Sequence, residues 1–333
     1  MSDESTRMQD IAKLVGVSTS TVSRALQKPE MVAPQTREKI RQAIDSAGYV
    51  PNQLARSLRT ARRQVLLVVV PEINSSFYAQ FTKGAEEVAD RHGYSVLLGD
   101  VQLDTNNHER FAQFLKTKQA DGVITFAGAV PFAGTATPLV QIGQTRADVS
   151  VPSIDIDNEG AMTKAAEHLL HLGHRDIAFL NGPSQAASAV ARLAGYRSAL
   201  QAAGIENRDE LVASGFFGME PGSRATEKLL ALHNRPTAIL CANDEMAIGA
   251  MHACHSHGLK IPDDISIVGF DDIQVAKYLN PPLTTTAQPV LDLGRQGTEM
   301  LIALVQGEPI KERHVILPTR FIERKSTASP ALN

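Results

Sequence analysis

The chain has 333 residues, 43% hydrophobic and 21% charged, with a net charge of −3, as expected of a soluble globular protein long enough for two or three domains and a substantial core. Its two cysteines, Cys241 and Cys254, stand in apolar surroundings and exclude a disulfide framework, and no run of about 18 apolar residues exists to span a membrane. The charge is unevenly spread: residues 1–63 hold 11 Lys and Arg against 6 Asp and Glu, a net of +5, while the remaining 270 hold 22 against 30, a net of −8. A basic arm on an acidic body suggests a nucleic-acid partner for the arm alone.

The opening MSDESTRMQD lacks the apolar segment of a secretory signal, so a cytoplasmic protein is expected. Met8–Leu26, MQDIAKLVGVSTSTVSRAL, reads as two short helices around a tight turn. Ile11, Ala12, Leu14 and Val15 have helical spacing, and Val17 can pack on them from beyond the turn. Gly16 stands where the chain must turn sharply. Ser18 is the expected N-cap of a second helix whose Val22, Ala25 and Leu26 face the first. The outward face of that helix carries Thr19, Ser20, Ser23 and Arg24, hydroxyls and a guanidinium suited to phosphates and base edges in a major groove. This is the layout of a helix-turn-helix, although a plain αα-hairpin ahead of another domain reads the same way here.

Lys28-Pro29-Glu30 breaks the pattern, and Pro34 opens a third helix at a favoured first-turn position. Its Ile40, Ala43, Ile44 and Ala47 close a three-helix core, with Gly48 as C-cap. Tyr49–Thr60 is short and rich in cations, with leucines set among them. It reads either as a linker or as a helix formed only when a partner supplies its contacts.

At Val65 the texture changes, because VLLVVV is the continuous apolar run of a parallel strand buried on both faces. Further strands are predicted at 95–98, 122–126, 139–142, 176–180, 211–217, 237–241 and 265–270. Helices are predicted between them at 77–92, 107–118, 159–172, 187–203, 221–233, 244–257 and 290–305. The alternation predicts an α/β fold with parallel sheets. The pattern runs twice, from Val65 and from Asp176, predicting two doubly wound halves whose strand carboxyl ends face across a cleft.

The stretches DIAKLVGVSTSTVSRAL, GYVPNQLARSLR, IDNEGA, HLLHLGHRDIAFLNGP, ARLAGYRSAL, PTAILCANDEMAIGA, GLKIPDDISIVGFDD and PPLTTTAQP follow one another in the order and spacing of LacI/GalR-family transcriptional regulators. The chain resembles that family over nearly its full length, with GYSVLLGD and PPLTTTAQP nearest its cytidine-repressor and purine-repressor branch. The resemblance implies a helix-turn-helix domain at 1–50, a hinge helix and linker at 51–63, and an effector-binding and dimerisation domain at 64–328. The last would have the doubly wound fold of periplasmic binding proteins, one half about 64–157 and 290–318, the other about 158–289 and 319–328.

The resemblance also assigns residues. Thr19, Ser20 and Arg24, with Ser23 beside them, fall at base-reading positions. Asn52, Ala55 and Leu58 fall in the hinge helix that enters the minor groove of a pseudo-palindromic double-stranded operator bound by a homodimer, with the leucine wedged between central base pairs. Phe77, Tyr78, Ser188, Arg192, Phe217, Asn243 and Asp271 fall around the effector. Aromatics at 77 and 217 would sandwich a ring, while Arg192, Asp271 and Asn243 supply donors and acceptors for hydroxyls. Purine repressors carry an arginine where this chain has Ala186, so a nucleoside or sugar is expected and not a nucleobase. No cofactor or metal is implied.

Several of these residues also have plainer roles open to them. Phe77 and Phe217 read equally as core aromatics, Asp271 as a helix cap and Arg192 as half of a surface ion pair. His252, Cys254, His255 and His257, and likewise His168, His171 and His174, lack the spacing of a four-ligand metal site and read as cations at helix ends and polar loop groups. Asp155 and Asp157 fall on one side of a strand placed at a sheet edge, the second as a structural residue where the halves cross over. No nucleophile elbow, P-loop or zincin pattern argues for an enzyme. Beside a regulator, the open readings are a solute-binding protein and a sugar- or nucleoside-processing enzyme with an accessory helical domain.

Overall fold

The computed structural model describes residues 7–49, 62–101, 105–126, 137–143 and 151–331. The chain divides into two compact units between Arg63 and Gln64. In the first, α1 (Met8–Val15) ends at Gly16, whose φ of +73° is the left-handed conformation that glycine adopts without cost. Ser18 then caps α2 (Thr19–Gln27), its hydroxyl accepting from the Thr21 N–H at 3.2 Å. A single 3₁₀ turn at Pro29–Met31 leads to α3 (Pro34–Ala47), with proline in its first turn and Gly48 left-handed at its end.

Ile11, Ala12, Val22, Ile40 and Tyr49 form the buried centre of this unit, with Val15, Val17, Ala25, Ala43, Ile44 and Ala47 around it. Two expected core positions are corrected. Leu14 is 68% exposed and Leu26 39% exposed. A three-helix core this small covers Ile11 and Ala12 together but leaves Leu14 and Leu26, toward the far ends of their helices, outside.

The second unit is built on two parallel sheets. The strands in chain order are β1 (Val65–Val70), β2 (Ser95–Asp100), β3 (Gly122–Phe126), β4 (Leu139–Ile142), β5 (Ser153–Ile156), β6 (Ile177–Asn181), β7 (Val212–Ser214), β8 (Ala238–Cys241), β9 (Ser266–Val268), β10 (Thr285–Ala287), β11 (His314–Leu317) and β12 (Arg320–Ile322). Among the described residues, one sheet runs β11-β5-β4-β3-β1-β2 and the other β7-β6-β8-β9. Each begins by winding in the order second, first, third, fourth, so the repeat expected from the sequence is real at the level of topology. β1 lies between β2 and β3, paired to them from Val65↔Ser95 and Leu66↔Gly122, and its residues from Leu66 to Val70 are buried on both faces as expected of a parallel strand.

The helices are α4 (Ser76–Arg91), α5 (Thr105–Lys116), α6 (Asn158–His171), α7 (Ala187–Ala202), α8 (Met219–Leu230), α9 (Asp244–Ser256) and α10 (Val290–Gln306). The chain crosses between the sheets more than once. α10 returns to pack on α4 so closely that a Cβ on Gly84 would lie 2.2 Å from the Leu291 carbonyl oxygen, and one on Gly294 would lie 2.2 Å from that of Phe81. β11 then completes the larger sheet, and β12 pairs antiparallel with β10 beside the smaller one.

Two further expectations are corrected here. The predicted strand 211–217 contains only β7, because Phe216 and Phe217 both take left-handed φ values, +49° and +62°, that end the strand in a turn. β5 lies inside its sheet between β4 and β11, not at an edge. Asp157 is past its end, where it caps α6 through the Gly160 N–H at 2.9 Å.

Candidate functional site

Two surfaces stand out, one in each unit. On the first, the turn between α1 and α2 presents the start of α2 outward: Thr19, Ser20 and Arg24 are exposed and Ser23 half-buried. The Ser18 hydroxyl lies 2.8 Å from those of both Ser20 and Thr21, tying the helix start together. Arg24 Nε donates to the Ser20 carbonyl at 3.4 Å, a weak bond that leaves the guanidinium edge outward. Short hydroxyls around one fork-shaped donor are the equipment for phosphate contacts and one bidentate base contact. Asn52, Ala55 and Leu58 lie outside the described residues.

In the second unit the carboxyl ends of the strands converge on a buried polar centre. Arg192, on the second turn of α7, has a side chain only 7% exposed. Its Nε donates to Asn158 Oδ1 at 2.9 Å and its Nη1 to the Ala242 carbonyl, while the guanidinium lies 3.9 Å over the Phe270 ring. Nη1 stands 3.8 Å from Asp271 Oδ1, close enough for an ion pair and too far for a hydrogen bond. Burial lowers the pKa of the guanidinium, with Asp271 opposing it. Burial pushes the Asp271 carboxyl up to about 7, with Arg192 and a hydrogen bond from Gln288 opposing it.

Asp271 is not a helix cap. Its φ is +121°, and the loop that holds it there is fastened at several points. The Asp271 N–H donates to the Thr286 carbonyl at 2.8 Å, and Gln288 Nε2 donates to Asp271 Oδ1 at 2.6 Å. Asp244, which sequence reasoning missed, ties the same loop from beneath. Its Oδ2 accepts from the Ile273 N–H at 2.9 Å and its Oδ1 from the Thr285 hydroxyl at 2.6 Å. Asp155 was also missed as a site residue: its Oδ1 accepts from Asn158 Nδ2 at 3.1 Å, linking β5 through Asn158 to Arg192. No local sequence signal marks either role, since Asp155 reaches Arg192 only through Asn158 and Asp244 binds partners 29 and 41 residues away.

The remaining expected residues fall around this centre in distinct ways. Asn243 caps α9 by accepting from the Met246 N–H at 2.9 Å, and its Nδ2 donates to the Phe217 carbonyl at 3.0 Å. It therefore holds the turn that carries Phe217, whose ring tip meets Gly182, Cζ standing 2.2 Å from where a Cβ would be. Phe77 and Tyr78, on the first turn of α4, are edge-on to each other at 5.2 Å and to Phe126 at 6.2 and 4.8 Å. Burial and then the negative field of Asp271 raise the Tyr78 phenol, which stays protonated as a donor. Ser188 is half-buried one turn before Arg192, on the same face of α7. A recess of about 410 Å³ opens at the ends of β6 and β7, lined by Gly182, Ser184, Gln185 and Phe216. None of the expected ligand residues lines it.

The histidines have local work. His174 is buried, with Nδ1 2.8 Å from the Thr237 hydroxyl and Nε2 2.9 Å from the Ala328 carbonyl, and burial lowers its pKa. It is a buried cross-link past the end of α6, a polar group outside the helix as expected. His168 Nε2 lies 3.0 Å from the Thr327 hydroxyl, and burial lowers its pKa as well.

Comparison with known proteins fits this geometry. The family described as "Bacterial regulatory proteins, lacI family" matches residues 7–52, and the "Periplasmic binding protein-like domain" matches 166–327. The HTH-type transcriptional repressor CytR of Escherichia coli K12 is 35% identical over 326 residues, 96% of each chain. Among solved structures, the lac repressor dimer bound to operator and the anti-inducer ONPF is similar with a TM-score of 0.86 and 31% identity, covering 98% of this chain and 100% of that one. The complex of the transcriptional regulator CelR with cellobiose has a TM-score of 0.75 and 31% identity, covering 96% and 99%. A helix-turn-helix unit joined to a periplasmic-binding-like unit defines a DNA-binding transcriptional regulator, and such relatives are named repressors, not enzymes. The chain belongs to the LacI family.

Proposed function

We propose that the protein is a homodimeric repressor whose grip on a pseudo-palindromic operator is controlled by a nucleoside or sugar held between the two sheets of the 64–333 unit. The carrying observation is the Arg192–Asp271 pair, buried but held 3.8 Å apart at the strand ends, where a ligand hydroxyl can serve as acceptor to one and donor to the other. Phe77, Tyr78 and Phe217 supply ring faces, with Ser188 and Asn243 at the margin. Ligand-bound relatives support the small-molecule reading, cellobiose in one of them. Ligand closure of the two halves would shift the hinge helices of the dimer against each other, releasing the wedge formed by Ala55 and Leu58 with Asn52 beside them. Operator release by the ligand, in the cytoplasm and at a catabolic or transport operon, is the direction we favour. The domain division proposed is 1–50, 51–63 and 64–328.

Fluorescence polarisation with fragments of the protein's own promoter region tests the reading. Sequence-selective, salt-sensitive binding that a panel of nucleosides and sugars weakens is expected. Binding without sequence selectivity would overturn the repressor. Asp271→Ala should keep operator affinity within a few-fold and lose the ligand response; a fully responsive variant would remove Asp271 from the site.

A further inference from the structure

The polar centre is not the only place where the two sheets of the second unit meet. Glu245, the second residue of α9, follows β8 of the smaller sheet, while α4 follows β1 of the larger. Across the gap, Glu245 Oε1 accepts from the Ser75 hydroxyl at 3.0 Å and from the Ser76 N–H at 3.3 Å, joining positions 170 and 169 residues apart. Ser75 is the N-cap of α4, yet its side chain caps nothing in its own helix; it donates outward. α9 is already capped by Asn243, so Glu245 is not needed there. Both residues thus forgo a local bond for one across the cleft.

Electrostatics explain why a carboxylate suits this place. Helix N-termini carry partial positive charge, and here the starts of α4 and α9 approach each other. A negative group bonded to one and rooted in the other favours the two together; a neutral one would leave like poles facing. Burial, and then the charge of Glu72, oppose the carboxylate, while its bonds to Ser75 and Ser76 favour it.

We propose that Glu245 is a clasp across the cleft that biases the 64–333 unit towards its closed arrangement. The contact uses only the chain's own residues, so it contributes to closure whether or not a ligand is bound, and it limits how much further a ligand can shift the equilibrium. The functional meaning rests on the ligand-controlled reading above; the contact itself is testable without DNA or ligand.

The test uses the full chain with an exposed label site on each half, Glu86→Cys on α4 and Lys228→Cys on α8. The native cysteines are buried and do not compete for dye. Labelled chains are diluted with excess unlabelled chain, and the distance between the two dyes is read by energy transfer in single molecules. Glu245→Ala should lower the closed-to-open ratio about tenfold and Ser75→Ala by less, since the Ser76 N–H bond survives it, while the double variant should fall no further than Glu245→Ala alone. Glu245→Gln should fall between. Ser75→Ala, a small change at the surface, keeps the test valid should Glu245→Ala fold poorly. Distances unchanged in both single variants, or effects that add in the double, would overturn the clasp. Failure to bind any promoter fragment would instead overturn the repressor reading and leave the clasp standing.

Discussion

Arg24 and Asp271 show how differently two charged residues can be used in one chain. Arg24 is exposed and lightly held, free to meet a base edge. Arg24→Ala should cost about 1–3 kcal/mol of discrimination at one position per half-site while affecting other positions little, as read from a binding-site selection before and after. Asp271 is buried, with its carboxyl pushed up to about 7 by that burial. Its folded pKa thus lies above the unfolded one, so the folded state binds the extra proton between about pH 4 and 7 and loses stability as pH rises through that window. Asp271→Asn, which cannot ionise, should gain on the parent chain from pH 5 to pH 8 in melting temperature. A constant difference would show that Asp271 does not titrate in that range. Both residues were legible in the sequence, one from its helical face and the other from resemblance. Asp155 and Asp244 were not, because Asp155 serves the site only through the Asn158–Arg192 bond and Asp244 through partners 29 and 41 residues away, both brought near by the fold.

Among the elements, those with a strong period were legible and those fixed by tertiary contact were not. VLLVVV announced β1, and Ser18 and Gly16 announced the ends of the first two helices. β10 and β12 went unseen: each has only three residues, and each is a strand because the other is beside it. The turn that carries Phe217 was read as strand, since nothing in SGFFG tells that two phenylalanines take left-handed φ. The α4–α10 pair was likewise invisible, because it depends on two glycines meeting backbone to backbone. Gly84→Ala should therefore destabilise the second unit by about 1–3 kcal/mol in urea unfolding, since the atom it meets is a carbonyl of the backbone and cannot swing away.

For the whole molecule, a basic arm on an acidic body was legible from charge alone, +5 in residues 1–63 and −8 beyond. The repeated winding of the two sheets was legible as well, because the strand–helix alternation restarts at Asp176. The contact of Glu245 with Ser75 was not, since neither residue carries a motif. If the hinge links reading to control as proposed, Leu58→Ala should weaken specific operator binding by tenfold or more while leaving nonspecific binding nearly unchanged. Equal losses, measured by titration against operator and random duplexes, would remove the wedge role.

The order in which the chain is made gives the late strands a further significance. The three-helix unit draws its whole core from residues 11–49 and is complete early in synthesis. The larger sheet must wait for β11, and the smaller half for the very end: Ser326 Oγ donates to the Ile267 carbonyl, and Ala328 is held by both Ser266 and His174. A chain released before about residue 328 would thus carry a complete three-helix core and an incomplete second unit.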